Sequence, residues 1–125
     1  MISKILVLFF MSPQLTLNLD TGSVSFNFSA QAARDLQSAI AQLMERLKTV
    51  GAKATPGSKT SPQQPMEYRY TGDVFLEIFC NPNIWATPFA AKVLITIRDA
   101  SIRLTTEAEL TRVREDINQY LDQVG

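Results

Sequence analysis

Apolar and polar residues alternate strictly through QLTLNLDTGSVSFNF, residues 14 to 28. Leu15, Leu17 and Leu19 fall on one side of an extended backbone, and Thr16, Asn18 and Asp20 on the other. Past Thr21-Gly22, Val24, Phe26 and Phe28 alternate with Ser23, Ser25 and Asn27. Successive side chains of a strand point to opposite faces, so the stretch predicts an antiparallel hairpin with one apolar face. A two-residue loop at Thr21-Gly22 pairs Leu19 with Val24, Leu17 with Phe26 and Leu15 with Phe28. The period then changes. Ala33, Leu36, Ile40, Leu43, Leu47 and Val50 recur at three- and four-residue steps, which predicts an amphipathic helix over 30–50. Ser29 stands at the N-cap, and Gly51 sits where a helix-terminating glycine belongs.

Residues 51–65, GAKATPGSKTSPQQP, hold three prolines and two glycines and no large apolar side chain. They read as a flexible linker inside the domain. Strand chemistry resumes in MEYRYTGDVFLEIFC. A loop at Thr71-Gly72-Asp73 sets Met66 against Ile78, Tyr68 against Leu76 and Tyr70 against Val74. It also sets Glu67 against Glu77, a like-charge cost. One long bulged strand is the alternative. KVLITIRDASIRLT predicts a further hairpin, with a loop at Asp99-Ala100 pairing Ile97 with Ile102 and Ile95 with Leu104. A helix over 106–123 closes the pattern: Thr106 and Glu109 have capping-box spacing, and Leu110, Val113, Ile117 and Leu121 make its stripe. A hairpin–helix unit thus occurs twice, at 14–50 and 92–123. The expected fold is α+β, an antiparallel sheet of about six strands with both helices on one face.

A length of 125 residues argues for one domain. Twelve basic side chains cancel twelve acidic ones, so no strong counterion-release term favours nucleic acid as a partner. The halves differ, +3 for residues 1–62 and −3 for 63–125, which fits two solvated helix faces. No histidine is present. That removes Ser-His-Asp and Cys-His catalysis and imidazole metal sites. One cysteine forms no internal disulfide, and the chain reads as cytoplasmic, with a peripheral place on a membrane-associated complex as the alternative. The apolar run Ile5 to Met11 is too short to span a bilayer. It reads as an edge strand or as an upstream extension, with Met11 the natural start.

The unusual segment is CNPNIWATPF, residues 80–89, which holds the only cysteine and the only tryptophan. Cys80 continues the apolar alternation of Val74, Leu76 and Ile78 and has no basic residue nearby in sequence, so it reads as buried and unreactive. Asn-Pro-Asn is a turn signal. Trp85 and Phe89 either fold back over the sheet edge or stay exposed as anchors for a protein partner. On the second reading Asn81 and Asn83 shape the loop, and Tyr68 and Tyr70 are further anchors. Two alternatives come from other classes. One is a small-molecule site or enzyme built on Glu67, Asp73 and Glu77; these supply fewer ligands than an oxygen-only metal site needs. The other is a homo-oligomer formed through a strand edge or the 1–10 segment. No glycine-rich phosphate loop marks a cofactor site, so no cofactor or metal is expected.

The stretch YTGDVFLEIFCNPNIWATPFAAKVLITI, with LTTEAEL after it, resembles small conserved proteins of cyanobacteria. The resemblance covers about residues 66–122, rests on no catalytic motif and implies no activity. It adds photosynthetic or regulatory complexes to the possible partners.

Overall fold

The computed structural model describes residues 14–52 and 61–124. The expectations for residues 1–10, and for the linker over 53–60, lie outside the described residues. The architecture is α+β: two antiparallel sheets, of two and four strands, with two helices.

Strands β1 (Gln14–Leu19) and β2 (Gly22–Asn27) form the first hairpin. Leu15 pairs with Phe26, Leu17 with Val24 and Leu19 with Gly22. The expected register is displaced by two residues, and the reason is local. A two-residue type I′ turn needs positive φ at both central positions, which β-branched Thr21 resists. The chain turns instead through Asp20 and Thr21 at negative φ and places the left-handed conformation, φ 106°, on Gly22. A shift of two preserves side-chain parity, so Leu15, Leu17, Phe26 and Phe28 are buried as expected.

Helix α1 (Ala30–Ala52) begins where Ser29 Oγ accepts the Ala32 N–H at 3.1 Å. Its stripe Ala33, Leu36, Ile40, Leu43 and Leu47 is fully enclosed. The helix does not end at Gly51. Gly51 remains helical with no positive φ, and the last turn lies against the loop that holds Ala86, where a Cβ on Gly51 would stand 3.4 Å from the Ala86 carbonyl oxygen.

Strands β3 (Met66–Thr71), β4 (Phe75–Cys80), β5 (Lys92–Arg98) and β6 (Arg103–Glu109) form the second sheet in chain order. Both hairpins again differ from expectation by two residues. Met66 pairs with Cys80 and Tyr68 with Ile78, and the loop is Gly72-Asp73-Val74. This register removes the Glu67–Glu77 opposition and puts Arg69 across from Glu77, with Nε and Oε2 2.6 Å apart. Tyr70 turns its ring edge-on to Phe28, 4.7 Å between centroids, and a Cβ on Gly72 would overlap its hydroxyl. In β5–β6, Ile97 pairs with Leu104 and Ile95 with Thr106. The longer loop is stable because Asp99 Oδ1 accepts the N–H groups of Ser101 and Ile102 at 2.7 and 2.9 Å.

Helix α2 (Leu110–Val124) starts four residues later than the sequence pattern suggests. Thr106 and Glu109 are strand residues, not a capping box, because β6 stays paired with β5 back to Lys92. Leu110 N–H donates instead to the Ala91 carbonyl at 3.0 Å.

A single six-stranded sheet does not form. β1 meets β6 through an Asp20 N–H to Glu107 carbonyl bond at 3.2 Å, and Lys92 Nζ reaches Asp20 at 2.7 Å. One apolar core nonetheless joins all layers: Leu15 and Leu17, Leu36 and Ile40, Leu76, Ile78 and Ile95, and Leu110, Val113 and Ile117 belong to it. Burying each large aliphatic side chain stabilises by about 1.5–3 kcal/mol. Asp116, on α2, is the one buried charge among the described residues; it accepts the Asn18 N–H and Nδ2 at 2.8 Å each. No helix among the described residues is long and apolar enough to cross a membrane.

Candidate docking site

Alternation fixes what the second sheet shows to each side. Met66, Leu76, Ile78, Cys80, Val93, Ile95, Ile97 and Ala108 face the core. The opposite face is a grid of three rows read across the strands. Glu67, Phe79, Leu94 and Glu107 make the first row. Arg69, Glu77, Thr96 and Thr105 make the middle one. Thr71, Phe75, Arg98 and Arg103 make the last. None of the twelve is buried, so no described element covers this face.

The first row runs into the 80–90 segment. β4 ends at Cys80, which is 1% exposed. Burial pushes its thiol up to about 11, against a smaller opposing effect of a hydrogen bond with Trp85. A cysteine held there is packing material, not a nucleophile. The chain then makes a short 3₁₀ turn, Pro82–Ile84. Asn81 caps it: its side-chain oxygen accepts the Asn83 N–H at 3.0 Å and Asn83 Nδ2 at 2.9 Å. Pro82 at the first helical position is buried. The Asn83 amide also clasps Gln63 backbone to side chain, accepting its N–H and donating to its carbonyl, both at 2.8 Å. Arg46 reaches the neighbouring Gln64 carbonyl at 3.4 Å. The loop is therefore fastened on one side to the segment that enters β3.

Its other side is apolar and open. Phe79, Ile84, Trp85 and Leu94 surround a groove of about 330 Å³, with Asn81, Lys92 and Glu107 at its polar margin. Ile84 is 68% exposed and Leu94 42%. Trp85 is half-buried and packs on the core with its remaining surface in the groove. Phe89, 81% exposed, stands farther along the segment, where Thr87 accepts the Ala90 N–H through both its carbonyl and its hydroxyl.

Of the residues singled out in the sequence, Asn81, Asn83 and Trp85 come together here. Tyr68 and Tyr70 do not. They share the parity of Met66 and face α1, where Tyr68 donates its hydroxyl to the Ala32 carbonyl at 3.1 Å. Burial, then Asp35 and Tyr70, push the Tyr68 phenol above its ordinary range. Glu67, Asp73 and Glu77 do not converge: Asp73 accepts from Asn27 Nδ2 at 2.8 Å, Glu77 holds Arg69, and Glu67 faces solvent opposite Phe79. Among the described residues no three His, Cys, Asp or Glu side chains are placed to hold a metal ion. Sequence reasoning missed Phe79, Ile84 and Leu94. The signal was present: VFLEIFC and KVLITI are apolar on both parities, which a strand with one solvated face has no need to be.

Comparison with protein-family models, with curated proteins and with solved structures finds no match.

Proposed function

We propose that this chain is a non-catalytic protein-docking domain, a small adaptor or assembly factor that engages its partner through the groove between the 81–85 loop and the first row of the second sheet. The observation that carries this reading is the grouping of Ile84, Leu94, Phe79 and Trp85 around one groove on an uncovered sheet face. Scattered exposed apolar residues are ordinary, whereas a contiguous set rimmed by polar groups marks an interaction surface. Its framework is rigid by local means, since Asn81 and Asn83 spend their amides inside the loop and on Gln63. A preorganised surface loses little entropy on docking. Trp85 is the aromatic anchor in the groove, Ile84 and Leu94 complete its apolar floor, and Phe89 is a further exposed anchor outside it. Nucleic acid is not the favoured partner, because the face carries both charge signs and the chain is neutral. The resemblance to cyanobacterial proteins points to photosynthetic or regulatory complexes as the first place to look, in the cytoplasm or on the surface of a membrane complex.

The test compares tagged wild type with Ile84→Asp and Leu94→Asp, purified from the native host. Both positions are exposed, so the variants keep the wild-type circular dichroism and melting temperature. A partner retained by wild type and lost by both folded variants supports the reading. The same proteins retained by all three would refute it.

A further inference from the structure

The outer face of the second sheet carries opposite charge at its two ends, and its own directly opposed cross-strand pairs do not neutralise that charge. Arg98 and Arg103 are directly opposed in the last row, a like-charge pair that costs stability in an isolated sheet. Among the described residues neither has a carboxylate partner; Arg98 lies over the Phe75 ring, 4.4 Å from its centroid. The first row ends instead in acidic Glu67 and Glu107, which make no ion pair among the described residues, with Arg69 and Lys92 the basic side chains nearest in effect. Aromatic residues stand on β4 at both ends, Phe79 in the first row and Phe75 in the last.

We infer that the partner on this face is a second copy of the chain, packed sheet on sheet about a two-fold axis that lies in the interface across the strands. The inference rests on the docking reading and names its partner. Such an axis lays each strand on its own counterpart in the opposite direction, so the first row of one copy meets the last row of the other. Glu107 then faces the second copy's Arg103, twice per dimer, and each Phe79 faces a Phe75. Leu94 meets the stem of the second copy's Arg98, which covers apolar surface while its guanidinium keeps the Phe75 ring. The middle row lies on the axis and meets its own copy, Glu77 on Glu77 and Arg69 on Arg69; each arrives neutralised in its own Arg69–Glu77 ion pair, whereas Glu67 and Glu107 are in none. The alternative axis, along the strands, stacks Glu67 on Glu107 and is repelled. An isologous pair of this kind closes and leaves no repeating edge. Sheets stacked face to face lie about 10 Å apart with strands within about 30° of one another, a geometry these side chains reach.

Sedimentation velocity on the full chain tests the arrangement, with Arg103→Glu, Glu107→Arg and the two combined. Wild type should sediment as a dimer of the 13.9 kDa chain in the micromolar range. Each single swap faces like charge with like charge and should weaken the dimer by about tenfold or more. The double swap should restore it. A wild type that stays monomeric overturns the inference, as does a dimer indifferent to the single swaps or one that the double swap leaves broken. The two readings fail separately. If the chain is monomeric while another protein is lost with Ile84→Asp, self-association is refuted and the docking site stands. If the dimer obeys the charge swaps and no other protein is retained, the surface serves the second copy.

Discussion

Asp116 offers the sharpest energetic test of the fold. It projects from α2 into the space under the first hairpin, is 4% exposed, and holds both the backbone N–H and the side-chain amide of Asn18 at 2.8 Å. Arg112, one turn earlier, stands 3.6 Å away and offsets part of the charge. Hydrogen bonds to an ionised group contribute about 1.5–3 kcal/mol each. Asn18 is half-buried, so water recovers part of what Asp116→Ala removes. The net loss should be about 3 kcal/mol. Unfolding entropy scales with chain length, and for a domain of this size each kcal/mol moves the melting temperature by about 4 °C. Asp116→Ala should therefore melt about 12 °C lower by calorimetry. Asp116→Asn keeps one acceptor but turns its amide toward a donor, so it should fall between the two. If Asp116→Ala melts within about 3 °C of wild type, desolvation of the carboxylate cancels its bonds and the latch adds nothing.

Three further outcomes follow from single groups. The Tyr120 hydroxyl is buried without a hydrogen-bond partner among the described residues, so Tyr120→Phe should leave stability unchanged or raise it by up to about 1 kcal/mol in a urea melt; a loss of about 2 would mean that the hydroxyl is satisfied. Cys80 should resist thiol reagents at pH 8 in the folded protein, since burial holds the thiol up to about 11, and labelling should track global unfolding; fast labelling of native protein would contradict this. Two backbone N–H bonds, from Ser101 and then Ile102, hold the Asp99 carboxyl below its usual range. Its stabilisation of the loop is present above the unfolded value and lost as pH falls through the folded one, so the Ser101 and Ile102 amide resonances should titrate at a midpoint below that of an ordinary aspartate. A midpoint at or above the ordinary value would refute the clamp.

Strand parity was legible in the sequence and strand register was not. Alternation decides which side of a strand meets the core, and it placed Leu15, Leu17, Phe26, Ile78 and Ile95 correctly. A slip of two residues leaves every side chain on its own face, so the pattern is blind to it. All three hairpins slipped by two, each for a local reason: the β-branched Thr21 at the first turn, the Arg69–Glu77 pair across the β3–β4 ladder, and the Asp99 side chain closing a four-residue loop. Thr106 and Glu109 imitate a capping box because spacing alone cannot show that β5 keeps β6 extended. The split into two sheets depends on how β1 and β6 approach, which local pattern does not encode. At the candidate site, Asn81, Asn83 and Trp85 were marked by unusual chemistry. Leu94 and Phe79 were hidden inside ordinary apolar strands, and their importance arises only from what stands beside them in the sheet.

The Asn83 clasp has a bearing on chain length. Gly51, in the last turn of helix α1, stands beside Ala86, and Gln63, ahead of β3, is gripped by Asn83, so the described residues on both sides of the 53–60 interval are fixed to the same loop. The two anchor points are set by the loop, not by what is strung between them. A Gly-Ser segment inserted there lengthens a closed circuit without moving its terminals, at about 0.6 kcal/mol for each doubling of length. The interval is thus a splice point: a fluorescent or affinity module placed in it should lower stability by no more than this closure cost and leave the groove as it is, which a melt and a partner-binding assay on the insertion variant can read directly.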